Sequence, residues 1–433
     1  MKKVYIETLG CSKNQIDSEK ISHFLSESGY LLTDNPSEAN YIIVNTCGFI
    51  EKAKQEAIDI ILEYTLLKEK GVCEKLVVAG CLAQRYPDVL QNELNDIDLI
   101  FGIGDISKIV MALKSDEKKV IPEYSEDKLI KRNVIGYPGS AYLRISDGCS
   151  NHCSYCAIPL IRGDLRSRKI EDILSEVDFL LEKELKEIII IAQDTSNYGI
   201  DRYNEKKLVD LTKAIDKKLK SDMWLRVLYM HPDHIDDDLI TGLKELEHFI
   251  PYFDIPFQSG SDKILQKMGR KNNSRENLNL IKKIRNSFKE PIFRSSFIVG
   301  FPDESNEDFN MTLNFIEEAE IDWVGAFDYS DEEGTKAHKF KNKVKDKVKE
   351  TRLNKLMDSS EEITFKNMTR FIGTKQKILI EEATDENLFI GRFWGQAPDV
   401  DGLTVIDSSS AKPGNFIEVN IKRVNGKDLF GVE

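Results

Sequence analysis

Arg144-Ile145-Ser146-Asp147-Gly148-Cys149-Ser150-Asn151-His152-Cys153-Ser154-Tyr155-Cys156-Ala157-Ile158-Pro159 is the stretch from which the rest of the chain is read. Its three cysteines, spaced C-x-x-x-C-x-x-C, follow a short β-type run. Three thiolates hold three corners of a four-iron, four-sulfur cluster and leave the fourth iron without a protein ligand. An open iron binds and activates something, whereas a cluster with four cysteines mostly passes electrons. Zinc is the alternative, since thiolate sites with an open position suit it too. His152 would complete such a site, but its adjacency to Cys153 makes joint ligation awkward.

Working outward, the chain of 433 residues has room for two or three domains. Hydrophobic content of 41% and charged content of 31% describe an ordinary globular protein. Near the start a charge at Glu7 falls too early for the apolar part of a signal peptide, and no apolar run has the length of a membrane span. A cytoplasmic location is expected, where seven cysteines serve metal binding or catalysis rather than disulfides. The net charge of −13 argues against non-specific nucleic-acid binding by the chain as a whole.

The fold class expected is α/β in three parts. Residues 1–115 alternate apolar runs (Val4 to Leu9, Tyr41 to Val44, Lys75 to Ala79) with amphipathic stretches such as Asp17 to Ser28 and Glu51 to Lys68. This rhythm predicts an open parallel sheet with helices on both faces. Residues 137–365 repeat it six times, with strands at 141–147, 187–192, 224–230, 252–257, 292–299 and 322–329. Six β–α units predict an open, partial barrel rather than a closed eight-stranded one. Ser305 and Asp308 form a capping box at the head of one of its helices. Residues 368–433 switch to short runs at Gln376 to Glu381, Leu388 to Phe393, Leu403 to Ile406, Phe416 to Ile421 and Leu429 to Val432, parted by Asp401-Gly402, Pro413-Gly414 and Asn425-Gly426. That pattern predicts a small antiparallel barrel of oligonucleotide-binding type. The lysine-rich stretch Lys336 to Lys355 reads as a solvated helix leading into it.

A second cysteine set lies upstream. Cys11, Cys47 and Cys81 each stand at the exit of a predicted strand, beside Gly10, Gly48 and Gly80. All exits of a parallel sheet share one edge, so three cysteines 34 to 36 residues apart converge there as ligands. Cys73 precedes its strand and reads as a buried thiol.

The motif Cys149, Cys153, Tyr155, Cys156 matches the radical S-adenosylmethionine enzymes. The order of a three-cysteine N-terminal domain, a radical domain and a TRAM-type barrel resembles the methylthiotransferase family along the whole chain. Leu9-Gly10-Cys11-Ser12-Lys13-Asn14 resembles the branch that modifies a ribosomal protein. Asn45-Thr46-Cys47-Gly48-Phe49-Ile50, Ala157 to Gly163, Tyr329 to Thr335 and Gln396 to Gly402 agree with it. Phe257-Gln258-Ser259-Gly260-Ser261 departs toward the tRNA-modifying branch.

The resemblance implies two 4Fe-4S clusters. One, on Cys149, Cys153 and Cys156, would bind S-adenosylmethionine and cleave it to a radical. The other, an auxiliary cluster on Cys11, Cys47 and Cys81, would carry the donated sulfur. Tyr155 and Gly300 would border the cofactor, and Arg162, Arg166 and Arg168 would offset charge or grip a substrate carboxylate. The implied substrate is the β-carbon of an aspartate in small-subunit ribosomal protein S twelve, with a flavodoxin or ferredoxin as reductant. The last barrel, with nine Lys and Arg against ten Asp and Glu from Lys366 to Glu433, suits a basic protein better than tRNA phosphates. The rivals are tRNA adenosine C2 methylthiolation and a non-catalytic iron–sulfur protein that binds RNA or carries electrons.

Overall fold

The computed structural model describes residues 1–126 and 131–433. Six strands, β1 (Lys3–Thr8), β2 (Leu31–Leu32), β3 (Tyr41–Thr46), β4 (Lys75–Gly80), β5 (Leu99–Phe101) and β6 (Lys119–Val120), form one sheet in the order β2-β1-β3-β4-β5-β6. Every pairing in it is parallel. Successive residues bury on opposite faces: Ile42, Val44 and Val78 belong to one core, and Ile43, Val77 and Ala79 to another. A sheet covered on both faces needs such unbroken apolar runs, which is why these strands lack polar alternation.

The central segment holds β7 (Ser140–Arg144), the short hairpin of β8 (Ser146–Asp147) and β9 (Arg166–Ser167), then β10 (Glu187–Ile191), β11 (Trp224–Val227), β12 (Tyr252–Asp254), β13 (Ile292–Val299) and β14 (Trp323–Asp328). Two parallel three-stranded sheets, β11-β10-β7 and β12-β13-β14, follow one another, and a bridge between Leu225 and Phe249 marks the seam. This is the partial six-unit barrel. Leu143, Ile188, Ile190 and Val227 face the surrounding helices. Tyr142, Ile189, Ile191 and Tyr252 face the concave side. The capping box at Ser305 and Asp308 is formed, heading the Asn306–Ala319 helix.

The last segment, β15 (Lys375–Asp385), β16 (Leu388–Phe393), β17 (Thr404–Asp407), β18 (Phe416–Asn425) and β19 (Asp428–Val432), closes in the order β15-β16-β17-β19-β18. Four of its pairings are antiparallel, but β17 and β19 run parallel. A closed ring of five strands cannot alternate direction at every step, so one parallel pair is required. The lysine-rich stretch is also only half a helix: Ala337–Lys339 is a single 3-10 turn, and the long helix starts at Asp346.

The small barrel is fastened to the concave face of the larger one. Ile378, Phe393 and Ile421 share a core with Tyr142, Ile189 and Tyr252. Beneath them Glu187 takes Arg226 and Arg392, each at 2.7 Å, and Arg392 also takes Glu381 at 2.5 Å. Trp323 donates its indole N–H to the Gly395 carbonyl at 2.7 Å. Among the described residues no helix is long and apolar enough to cross a membrane.

Candidate functional site

Cys11, Cys47 and Cys81 leave β1, β3 and β4 at one edge of the N-terminal sheet. The Asn14 side chain ties these exits together. Its Nδ2 donates to the Leu9 carbonyl at 2.9 Å and the Thr46 carbonyl at 3.0 Å, and its Oδ1 lies 3.5 Å from the Cys81 sulfur. Gly10 and Gly80 have φ of +89° and +92°. A Cβ on Gly10 would lie 2.7 Å from that of Cys47, and one on Gly80 would lie 2.4 Å from Asn45 Oδ1. The exits come together because these two positions carry no side chain. Cys81 feels the charges of both Cys11 and Cys47, and burial pushes its thiol up to about 12.

Cys149, Cys153 and Cys156 lie on the loop after β8, and burial raises Cys149 to about 11 and Cys156 to about 12. The loop is pinned from three sides. Asn151 Nδ2 donates to Asp194 at 2.8 Å, and the same carboxylate holds His234 at 2.7 Å. The Ser154 N–H donates to the Met268 carbonyl at 2.9 Å, while the Ser154 carbonyl accepts from Ala337 N–H at 2.7 Å. Tyr155 sits with Phe301, Tyr329 and Ala337, and its hydroxyl accepts from Arg270 at 2.8 Å. Arg270 also lies 2.6 Å from His231 Nε2, itself 3.9 Å from the Cys153 sulfur. Burial, with Arg270 beside it, holds His231 neutral at a value near 2.

The donor chemistry fits iron–sulfur clusters. Each set is made of thiols alone, which favours iron–sulfur or zinc over harder ions. Among the described residues no three His, Cys, Asp or Glu side chains are gathered as the ligands of a single metal ion. His152 is exposed and does not join the set. Proton loss from the raised thiols would accompany loading.

The two sets meet at the junction of their domains. Ala157, next to Cys156, shares an apolar cluster with Cys81. Arg162, at the end of the Ile158–Arg162 helix, is 1% exposed and reaches the Cys81 sulfur at 3.5 Å, Asn14 at 3.0 Å, Asp17 at 2.9 Å and Asp147 at 3.1 Å. Burial raises the Asp147 carboxyl, yet Arg162 and Arg144 outweigh it and bring it to about 2. Lys13 is buried beside Cys11 with its ammonium 3.2 Å above the Tyr229 ring, and burial pulls it down to about 8. Arg85 and Lys54 both grip Glu332, at 2.5 and 3.1 Å, so the Tyr329–Thr335 segment clasps the N-terminal domain.

The three arginines after the motif part company. Arg166 stacks on Tyr124 at 3.7 Å, and Arg168 pairs with Glu176 at 2.6 Å. Gln193 donates to Asp147 at 3.0 Å. Gly300, φ +72°, stands at the exit of β13, where a Cβ would come 2.4 Å from Lys349 Cγ, and its N–H donates to Glu304 at 2.7 Å. The departing motif Gln258 to Ser261 is buried: Ser261 caps the Asp262–Met268 helix, and Ser259 meets Thr312 at 3.2 Å. Those contacts are internal and pack the motif against the Asp262–Met268 and Asn306–Ala319 helices. Cys73 is buried in the sheet core, its thiol 3.1 Å from the Lys75 carbonyl. The sequence does not single out the parts played by Asn14, Asp17, His231 and Arg270; for Asn14 and Asp17 the available signal is a polar residue on a buried helix face, and His231 and Arg270 lie outside helices of that kind.

Comparison with known proteins agrees with this layout. Family models match in series: uncharacterized protein family UPF0004 over residues 3–102, the radical SAM superfamily over 143–316 and the TRAM domain over 372–432. Among solved structures, the radical S-adenosylmethionine methyltransferase TsrM from Kitasatospora setae superposes with a TM-score of 0.55 at 13% identity, covering 75% of this chain and 73% of that one. The cobalamin-dependent radical enzyme OxsB gives 0.51 at 15% identity, over 84% and 56%. These two share the fold. The protein is a radical S-adenosylmethionine enzyme, with S-adenosylmethionine and 4Fe-4S clusters as its cofactors.

Curated relatives narrow the class. A ribosomal protein uS12 methylthiotransferase RimO of Natranaerobius thermophilus is 43% identical over 99% of this chain and 98% of its own length. Those of Thermotoga maritima and Clostridioides difficile are each 40% identical, over 99% and 100% of this chain and 99% and 98% of theirs. The chain belongs to the ribosomal protein uS12 methylthiotransferase family.

Proposed function

We propose that this protein adds a methylthio group to the β-carbon of an aspartate in ribosomal protein uS12, acting in the cytoplasm. The observation that carries the reading is the meeting of two three-thiol sets at one junction, with Arg162 reaching from just past Cys156 to the Cys81 sulfur. When bound, the clusters and S-adenosylmethionine supply radical attack on an unactivated C–H bond together with the sulfur and the methyl group. A β C–H has no acidic proton to give up, so no general base is assigned.

The chain's own share is to hold, orient and exclude water. Cys149, Cys153 and Cys156 hold the centre that takes S-adenosylmethionine, and Asp194 and Arg270 fix their loop through Asn151 and Tyr155. Tyr155 and Gly300 are assigned to the cofactor's adenosyl side. Cys11, Cys47 and Cys81 hold the auxiliary centre, neutralised by Arg162. Lys13, a buried cation beside Cys11, supplies the counter-charge for the substrate's aspartate. The packed junction keeps water from the reacting carbon between the two stages.

The test uses anaerobically reconstituted, reduced protein with S-adenosylmethionine and either uS12 or tRNA. The thiomethyl mass gain is expected on uS12, with release of deoxyadenosine. Replacing Cys11, Cys47 and Cys81 by Ala takes iron from about eight to about four per chain and spares cofactor cleavage. Mass gain on tRNA alone, or unchanged iron in the triple variant, overturns the reading.

A further inference from the structure

The lysine-rich stretch is the strongest charge anomaly in the chain. From Lys336 to Lys355 there are nine Lys and Arg against two acids, in a protein whose net charge is −13. A run like this usually means a solvated helix, but its first half is not helical and does not stand apart. It crosses the loop that carries Cys153 and Cys156. The Ala337 N–H donates to the Ser154 carbonyl at 2.7 Å, and Ala337 and Phe340 pack into the apolar cluster that contains Tyr155. The inward residues thus seal the central thiols, while Lys336, Lys339, Lys341, Lys345 and Lys347 are exposed.

Of the neighbouring acids, Glu333 and Glu350 are exposed, and the others are paired. Asp331 takes Lys343 at 2.5 Å and His338 at 3.1 Å, and Asp346 takes Lys349 at 3.1 Å. Asp303, on the flank, pairs with Lys267. No ion pair with the five exposed lysines is found among the described residues. On the other side of the same thiol loop, the Ser154 hydroxyl donates to the Lys267 carbonyl at 2.8 Å, and Lys263 and Lys267 are paired with Asp308 and Asp303, so the excess positive charge comes from the strap. The central thiols therefore lie directly beneath a positive patch on a negative molecule.

We propose that the Lys336–Lys347 strap is the docking surface for an acidic one-electron carrier protein, of the flavodoxin or ferredoxin class, that reduces the centre held by Cys149, Cys153 and Cys156. It rests on the functional reading above, because that centre needs an electron. One electron leaves the reduced carrier and enters the centre; no bond is made or broken and no proton moves. Opposite charge gathers such a carrier and orients it, and a small, weak interface suits a partner that must leave after one transfer. Placing the patch over the thiol loop shortens the path from the carrier to the metal. RNA would also be drawn to lysines, but an RNA site gains nothing from lying over the reducing centre, and the C-terminal barrel carries no matching positive excess.

The test compares reconstituted full-length wild-type protein with a Lys339→Glu, Lys341→Glu, Lys345→Glu, Lys347→Glu variant and its all-Ala counterpart, each checked for iron content. Reduction of the centre by flavodoxin hydroquinone is followed by stopped flow at low and high salt, and reduction by dithionite serves as reference. The second-order rate with flavodoxin should fall about tenfold or more in the Glu variant and less in the Ala variant, and the salt dependence of the wild type should flatten. Dithionite-driven release of deoxyadenosine should be unchanged in all three. Equal flavodoxin rates with normal dithionite activity overturn the docking assignment alone, as do equal rates with loss of ribosomal RNA binding in the Glu variant. Absence of deoxyadenosine from the wild type with dithionite overturns the functional reading and this assignment with it.

Discussion

At the scale of the residue, Arg162 does the most with one side chain. It is fully buried, pairs with Asp17 and Asp147 from different domains, and lies against the Cys81 sulfur. Arg162→Gln removes one of two cations from Asp17, which keeps Arg144 at 2.6 Å, and the arginine pair of Asp147, which keeps Gln193 at 3.0 Å, so the loss of stability is about 1.5–3 kcal/mol. Urea titration of the metal-free protein reads that loss, and iron analysis after reconstitution should show the auxiliary centre loading less than the central one. The six cysteines stand out by spacing and topological position, and the fold brings the upstream three to one sheet edge and the central three onto one loop. Arg162 stood out as one of three arginines, but its destination depends on how two domains dock. No local pattern separates it from Arg166, which ends on Tyr124, or from Arg168, which ends on Glu176. Asn14 and Arg270 were hidden because their partners, Thr46 and Cys81 for one and Tyr155 and His231 for the other, are distant in sequence within the same domain.

At the scale of the element, the strand exits decide whether the upstream thiols can meet. Gly10→Ala puts a methyl against Cys47 Cβ in a left-handed backbone that L side chains avoid. The expected outcome is iron falling from about eight toward about four per chain, with the central centre intact by iron analysis and electron paramagnetic resonance. The long strands and the capped Asn306–Ala319 helix were legible, because apolar runs and a Ser-to-Asp cap act over a few residues. The two-residue strands β2 and β6 were not, since nothing in so short a run distinguishes it from loop. The parallel β17–β19 pair was missed because turn signals report hairpins, while this pair comes from closing the ring. The lysine stretch misled because charge alone does not reveal that Ala337 and Phe340 anchor it.

At the scale of the whole molecule, the small barrel is held by a buried ionic knot rather than by a tether. Burial raises the Glu187 carboxyl, but Arg392 and Arg226 outweigh burial and hold it at about 2, below its ordinary value near 4.5. A depressed carboxylate stabilises the fold above its unfolded value and loses that contribution as the solution is acidified toward 2. Over that window Glu187 should contribute about 3 kcal/mol to the loss of stability. Urea titrations at pH 5 and pH 2.5, which span most of that window, should differ by about 2 kcal/mol less in Glu187→Gln than in wild type. The three-part fold was readable from the changing rhythm of apolar runs and turn signals; the fastening was not, because Glu187, Arg226 and Arg392 lie far apart in the chain.

The guanidinium that crosses from the central domain to Cys81 also bears on how the protein matures. Lys13 lies beside Cys11 from the start, but Cys81 meets Arg162 only after a domain synthesised later has folded against it. Biogenesis is therefore ordered: the ribosome must release the middle of the chain before the first pocket is ready for its inorganic cargo.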